Sequence, residues 1–201
     1  MNRKIGMISS LVTLLAVASF ALNMLISSPT GSYLSSMFIA WGFVPMACAF
    51  AAHAKEEARA AALTGVAFAA IYGLLIAVVY FTQLTAVRLS ALSEETRSIL
   101  DYSRFGLFFS LDLLGYAFMA LSTFFLGLTI SPGVRADRWL KNLLLIHGVF
   151  AITCVVLPML GLFKSGMAGG DLIGVLVLEF WCAYFIPVSA LAYRHFQREQ
   201  C

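Results

Sequence analysis

The sequence predicts an all-α fold: a polytopic membrane helical bundle with six transmembrane helices and both termini cytoplasmic. Three observations predict it. Six apolar runs approach the length a bilayer demands, about 20 residues for a ~30 Å hydrocarbon core. Charged residues make up 11% of the 201 residues and apolar ones 61%, whereas a soluble domain carries about 25% charged residues. Lysine and arginine are also shared unequally between the loops at the two ends, which sets orientation.

The first run, 5–27, follows Asn2-Arg3-Lys4 and ends in the turn cluster Ser27-Ser28-Pro29-Thr30-Gly31-Ser32. Those polar residues with Pro and Gly are chain punctuation. A cleavable signal peptide is the competing expectation, with Ala16-Val17-Ala18 as a small-residue site. The run continues to Ile26, however, which makes a full span. The second run, 33–53, stops at Lys55-Glu56-Glu57 and Arg59, charges that cannot lie in lipid. The third, 61–87, carries Ala61, Gly65, Ala69, Gly73 and Ala77 every fourth residue. Such a small-residue face lets a neighbouring helix, from this chain or a second copy, approach closely.

The segment 88–104 is too polar to span. Ser93 is placed to cap a short helix with Glu94 and Glu95 in its first turn, and Arg97 and Asp101 are spaced for an i,i+4 pair. A short amphipathic helix on the outer surface is expected there. The fourth run, 105–130, ends at Ser131-Pro132-Gly133. The fifth, 139–163, and the sixth, 172–193, are separated by a turn from Lys164 to Asp171. Together the runs make residues 1–201 a single transmembrane domain. Strands are excluded, since an open sheet would leave unpaired backbone groups in lipid and no run alternates as a barrel strand does.

With the N-terminus inside, nine lysines and arginines fall on the inner side and four on the outer. That bias places both termini in the cytoplasm and the chain in an inner (plasma) membrane, in contact with lipid. The net charge of +3 is too small and scattered for nucleic acid, which calls for a basic stripe. Cys48, Cys154, Cys182 and Cys201 form no CxxC pair. The sequence contains no P-loop, dinucleotide fingerprint, GxSxG or HExxH. Neither a cofactor nor a metal is expected, and an enzyme is the less favoured class.

Function then rests on polar residues inside the runs. Asp112 and Glu179 each lie seven residues below the outer end of their run, roughly 10 Å down at 1.5 Å per residue. A carboxylate in hydrocarbon is costly and usually faces a partner, a cavity or a pathway. Asn23 and Gln83 lie about 6 Å below the outer ends of the first and third runs. Tyr116 follows Asp112 by one turn and shares its face. His147 is roughly 12 Å up the fifth run from the inside, below the acids, where a histidine could relay protons. Convergence of these side chains would form a polar cavity open to the outside. Their competing role is local hydrogen bonding that holds the bundle together.

The stretch Leu111-Asp112-Leu113-Leu114-Gly115-Tyr116-Ala117-Phe118-Met119-Ala120-Leu121-Ser122-Thr123, with Pro187 and the Arg194-bearing end of the last run, resembles small prokaryotic six-span integral membrane proteins of no known activity. The resemblance covers mainly the C-terminal half. It implies the six-span fold and a polar Asp on the fourth span, and no reaction. The leading expectation is binding or transport of a small polar or cationic solute, or protons, through Asp112 and Glu179. The alternatives are a non-catalytic scaffold or partner subunit, and an intramembrane lipid-modifying enzyme using His147 and an acid.

Overall fold

A computed structural model describes residues 1–161 and 170–198, with the backbone alone at 170–173. The expected turn after the fifth run lies largely outside these residues, as does Cys201. The described residues form eight α-helices and short one-turn helices, with no strand among them. The α-helices are α1 (Asn2–Leu25), α2 (Pro29–His53), α3 (Arg59–Thr82), α4 (Glu94–Leu100), α5 (Leu107–Thr129), α6 (Arg135–His147), α7 (Val149–Met159) and α8 (Gly170–Arg198). They supply six segments long and apolar enough to cross a membrane, α6 and α7 together making the fifth.

Local chemistry explains the breaks. Pro29 occupies the first position of α2, where its missing N–H is no loss. Ser93 caps α4, its Oγ accepting from the Thr96 N–H at 3.2 Å, and Arg97 pairs with Asp101 at 3.6 Å, as the sequence predicts. Phe105 turns the chain into α5 with a left-handed φ of 54°. The fifth run differs from the expected single helix, because it breaks at Gly148. There Phe124 of α5 presses so close that a Cβ would meet it at 2.9 Å. The break divides an amphipathic α6 from an apolar α7. Leu140, Leu144 and His147 of α6 are buried, while Arg135, Arg138, Trp139 and Asn142 are exposed.

The six spans form a ring. α2 packs beside α1 and α3, α5 beside α3 and the α6–α7 pair, and α8 returns to close on α6 and α1. Arg3 near the start of α1 donates to the Phe196 and Gln197 carbonyls near the end of α8 at 3.1 and 2.9 Å. Both described chain ends therefore meet at one end of the bundle, here the termini end; the opposite end, bearing 88–106, is the loop end. Phe43, Tyr72, Ile76, Met119 and Phe185 fill the middle of the ring.

The small-residue face of α3 is used inside the chain. At Gly65 a Cβ would lie 2.8 Å from Leu126 of α5, and Ser122 of α5 donates to the Gly65 carbonyl at 2.7 Å. At Gly73 it would meet Val44 of α2, also at 2.8 Å. Ala69 between them is fully buried. Ala61 and Ala77, the ends of the stripe, are half-buried. A second such face, not anticipated, lies on α1: Gly6, Ser9, Ser10, Thr13, Ala16, Val17 and Phe20 are buried against α2 and α8.

Candidate functional site

Asp112 is the centre of the most distinctive polar cluster. It sits in the second turn of α5 and is only 2% exposed. Four elements bring tyrosines to it. Tyr33 comes from α2 and Tyr102 from a one-turn helix just before α5. Tyr72 and Tyr80 come from one face of α3 and Tyr116 from α5 itself. The charge of Asp112 acts on all five phenols, out of seven tyrosines in the chain. Tyr80 and Tyr102 are the phenols whose hydroxyls interact most directly with the carboxylate. The rings of Tyr33, Tyr80 and Tyr102 touch one another, with centroids 5.4, 6.0 and 6.2 Å apart.

Two polar atoms in this cluster have no hydrogen-bond partner among the described residues: Asp112 Oδ1 and the Tyr72 hydroxyl. No ion pair among the described residues involves Asp112. Buried polar groups are nearly always satisfied, so such exceptions call for an explanation. Outside the spans, burial and the neighbouring charge of Asp112 push the Tyr102 phenol well above its ordinary value. It therefore stays protonated and remains a donor.

The structure does not join the two acids. The α8 side chain that meets Tyr116 is Trp181, with ring centroids 5.5 Å apart. Glu179 is two residues earlier, about 200° round the helix. It is half-buried, with Oε1 enclosed and unpaired, and its charge acts on Cys182 of its own helix. Similar height in the membrane does not bring two side chains together, because rotation about each helix axis is set by packing.

His147 is no relay beneath the acids in this arrangement. Its ring is fully buried, and both nitrogens are engaged. The Trp181 indole N–H donates to Nε2 at 3.1 Å. Thr123 gives its one hydroxyl proton to the Ala120 carbonyl at 2.8 Å, so its oxygen can only accept from His147 Nδ1–H, also at 2.8 Å. Those bonds fix a neutral imidazole protonated on Nδ1. Among the described residues no acid is bonded to it.

The two amides serve packing. Asn23 donates to the Ser19 carbonyl at 2.8 Å and lies against Gly31, where a Cβ would overlap its Oδ1. Gln83 is buried at the start of a single wide π turn, Gln83–Val87. It donates to the Leu100 carbonyl at 2.8 Å and accepts from the Tyr102 N–H at 3.0 Å. Gln83 thus pins the chain on both sides of Asp101 and holds Tyr102 over Asp112. Of the expected site residues, Asp112 and Tyr116 stand together, Gln83 supports them through Tyr102, and Glu179, His147 and Asn23 lie apart. Tyr33, Tyr72, Tyr80 and Tyr102 were not anticipated. Tyr72, Tyr80 and Gln83 do recur at i, i+8 and i+11, one helix face, which is the one signal that could have drawn them in.

A groove of about 370 Å³ opens at the termini end, lined by Lys55, Glu57, Thr129 and Lys141 among others. It is remote from Asp112, and Lys141 already donates to the Ile130 carbonyl at 3.1 Å. Among the described residues no three of His, Cys, Asp and Glu converge as a metal would require. Comparison with protein-family models, with curated proteins and with solved structures finds no match to this chain.

Proposed function

We propose that this chain is a multi-pass protein of a prokaryotic inner (plasma) membrane, with both termini cytoplasmic, that binds and moves protons or a small cation through Asp112. One observation supports this above the others: a carboxylate 2% exposed within a spanning helix, with one oxygen unpaired and no cationic side chain paired to it among the described residues. An ionised carboxylate held there without compensation is very costly. A bound positive charge is the natural compensation, and the tyrosine hydroxyls and ring faces around Asp112 suit one. Glu179 is not part of the proposed site, since among the described residues its charge acts on Cys182 of its own helix and on none of the five tyrosines. The scaffold alternative loses its main support, because the α3 small-residue face is occupied by α5 and α2 of the same chain.

The test is reconstitution of the full chain into vesicles that report internal pH and the uptake of sodium, potassium and methylammonium. Asp112→Asn should abolish the flux, and Glu179→Gln should leave it near the wild-type level. Full flux in Asp112→Asn would show that Asp112 is not the site.

A further inference from the structure

We infer that the positive charge taken by the Asp112 site is a proton, which reaches it from the loop end through the Tyr102 hydroxyl; this rests on the proposal that Asp112 is the cation site. Space argues for it first. The rings of Tyr33, Tyr80 and Tyr102 are in mutual contact and Asp112 is almost fully enclosed. An alkylammonium ion would need the cluster to part, whereas a proton needs no room.

Coordination argues for it next. Hard metal cations take about six to eight oxygens. Around Asp112 the free oxygens are one carboxylate atom and a few phenols, while the carbonyls of α3 and α5 are held in helix bonds. Hydroxyls suit a proton because each can both donate and accept. Ser36 adds one more beside Tyr80. The titratable groups facing Asp112 are Tyr33 from α2, Tyr72 and Tyr80 from α3, Tyr102 from the loop, Tyr116 from α5 and Cys154 from α7. All are uncharged in their ordinary neutral-pH form.

Tyr102 is the member of this array outside the spanning helices. It is half-buried, with exposed Ser103 and Arg104 next in the chain, and Gln83 holds its backbone. Its ring packs on Phe109 of α5, 5.2 Å between centroids, one turn before Asp112; its hydroxyl passes a proton to the Asp112 carboxylate and takes another from the loop side. The phenol is unchanged, and the net step converts Asp112 from carboxylate to carboxylic acid.

Infrared difference spectra of the reconstituted full chain, taken across a step from alkaline to acidic pH, read this directly. The wild type should gain a protonated-carboxyl band that is insensitive to sodium, potassium and methylammonium. The band should vanish in Asp112→Asn, persist in Glu179→Gln, and rise several-fold more slowly in Tyr102→Phe, which keeps the ring but cannot relay. A band surviving in Asp112→Asn, or an unchanged rate in Tyr102→Phe, would overturn the inference. If no carboxyl band forms but Asp112-dependent binding of sodium or methylammonium does, the proton is wrong and the cation site stands. If neither is seen, both fall.

Discussion

Trp181, His147 and Thr123 form a chain in which each donor has one acceptor, and this makes their energetics predictable. Thr123→Val keeps the shape but leaves His147 Nδ1–H buried and unpaired. The cost should be about 1–3 kcal/mol, read as a lower unfolding midpoint in detergent. Trp181→Phe should cost a similar amount by orphaning Nε2. Neither change should remove the carboxyl band of Asp112, because His147 does not touch it. At this scale the sequence was informative about Asp112, since a charge in an apolar run is rare enough to stand out. It was silent about the tyrosines, because a tyrosine near a span end serves equally well as an interfacial anchor. Glu179 shows what counting leaves open: depth follows from counting residues, but direction around the helix follows only from which face packs.

At the scale of elements, the loop helix α4 and the turn after it are held to the bundle by few contacts, and Gln83 makes two of them. Gln83→Leu should therefore leave the spans intact while amide exchange at 100–104 speeds up several-fold, measured by hydrogen–deuterium exchange of the reconstituted chain. Equal exchange in variant and wild type would show that other contacts hold Tyr102. The α1–α2 contact makes a second prediction. A Cβ on Gly42 would lie 2.5 Å from Thr13 Oγ1, 2.9 Å from the Thr13 nitrogen and 3.1 Å from the Ser9 carbonyl oxygen. Two of these are backbone atoms that cannot swing aside. Gly42→Ala should cost about 1–3 kcal/mol by overpacking, seen as a loss of thermal stability. The spans were legible from apolar length and the capped loop helix from Ser93 and its acids. The break at Gly148 was not, because a single glycine inside an apolar run is ordinary. It matters only where Phe124 from another helix arrives. The buried face of α1 was also hidden, its Ser and Thr diluted by apolar residues all round the helix.

At the scale of the whole molecule, the ring fixes that the described chain ends lie together, and the loop charges propose which side they face. In a cysteine-free background, Ser90→Cys should react with a membrane-impermeant maleimide in intact cells. Asn2→Cys and Gln197→Cys should react only after the cells are opened. The reverse pattern would invert the proposed orientation. The six-span class could be read from composition, because a bilayer leaves a chain few alternatives. The closure of α8 on α1 could not, because nothing in a linear hydropathy pattern says which spans are neighbours.

That closure has a consequence for the order of synthesis. α1 is made before the other described helices, but one of its neighbours, α8, is made after them. Until then α1 waits in lipid with the side that α8 will cover, at Gly6, open beside a helix face that carries Ser9, Ser10 and Thr13. Each hydroxyl already donates to a carbonyl of its own helix: Ser9 to Ile5 at 2.6 Å, Ser10 to Gly6 at 2.7 Å and Thr13 to Ser9 at 2.9 Å. Nothing polar on the waiting face lacks a partner, so the half-made protein can reside in the bilayer until Phe196 arrives over Gly6 and the last helix completes the circle.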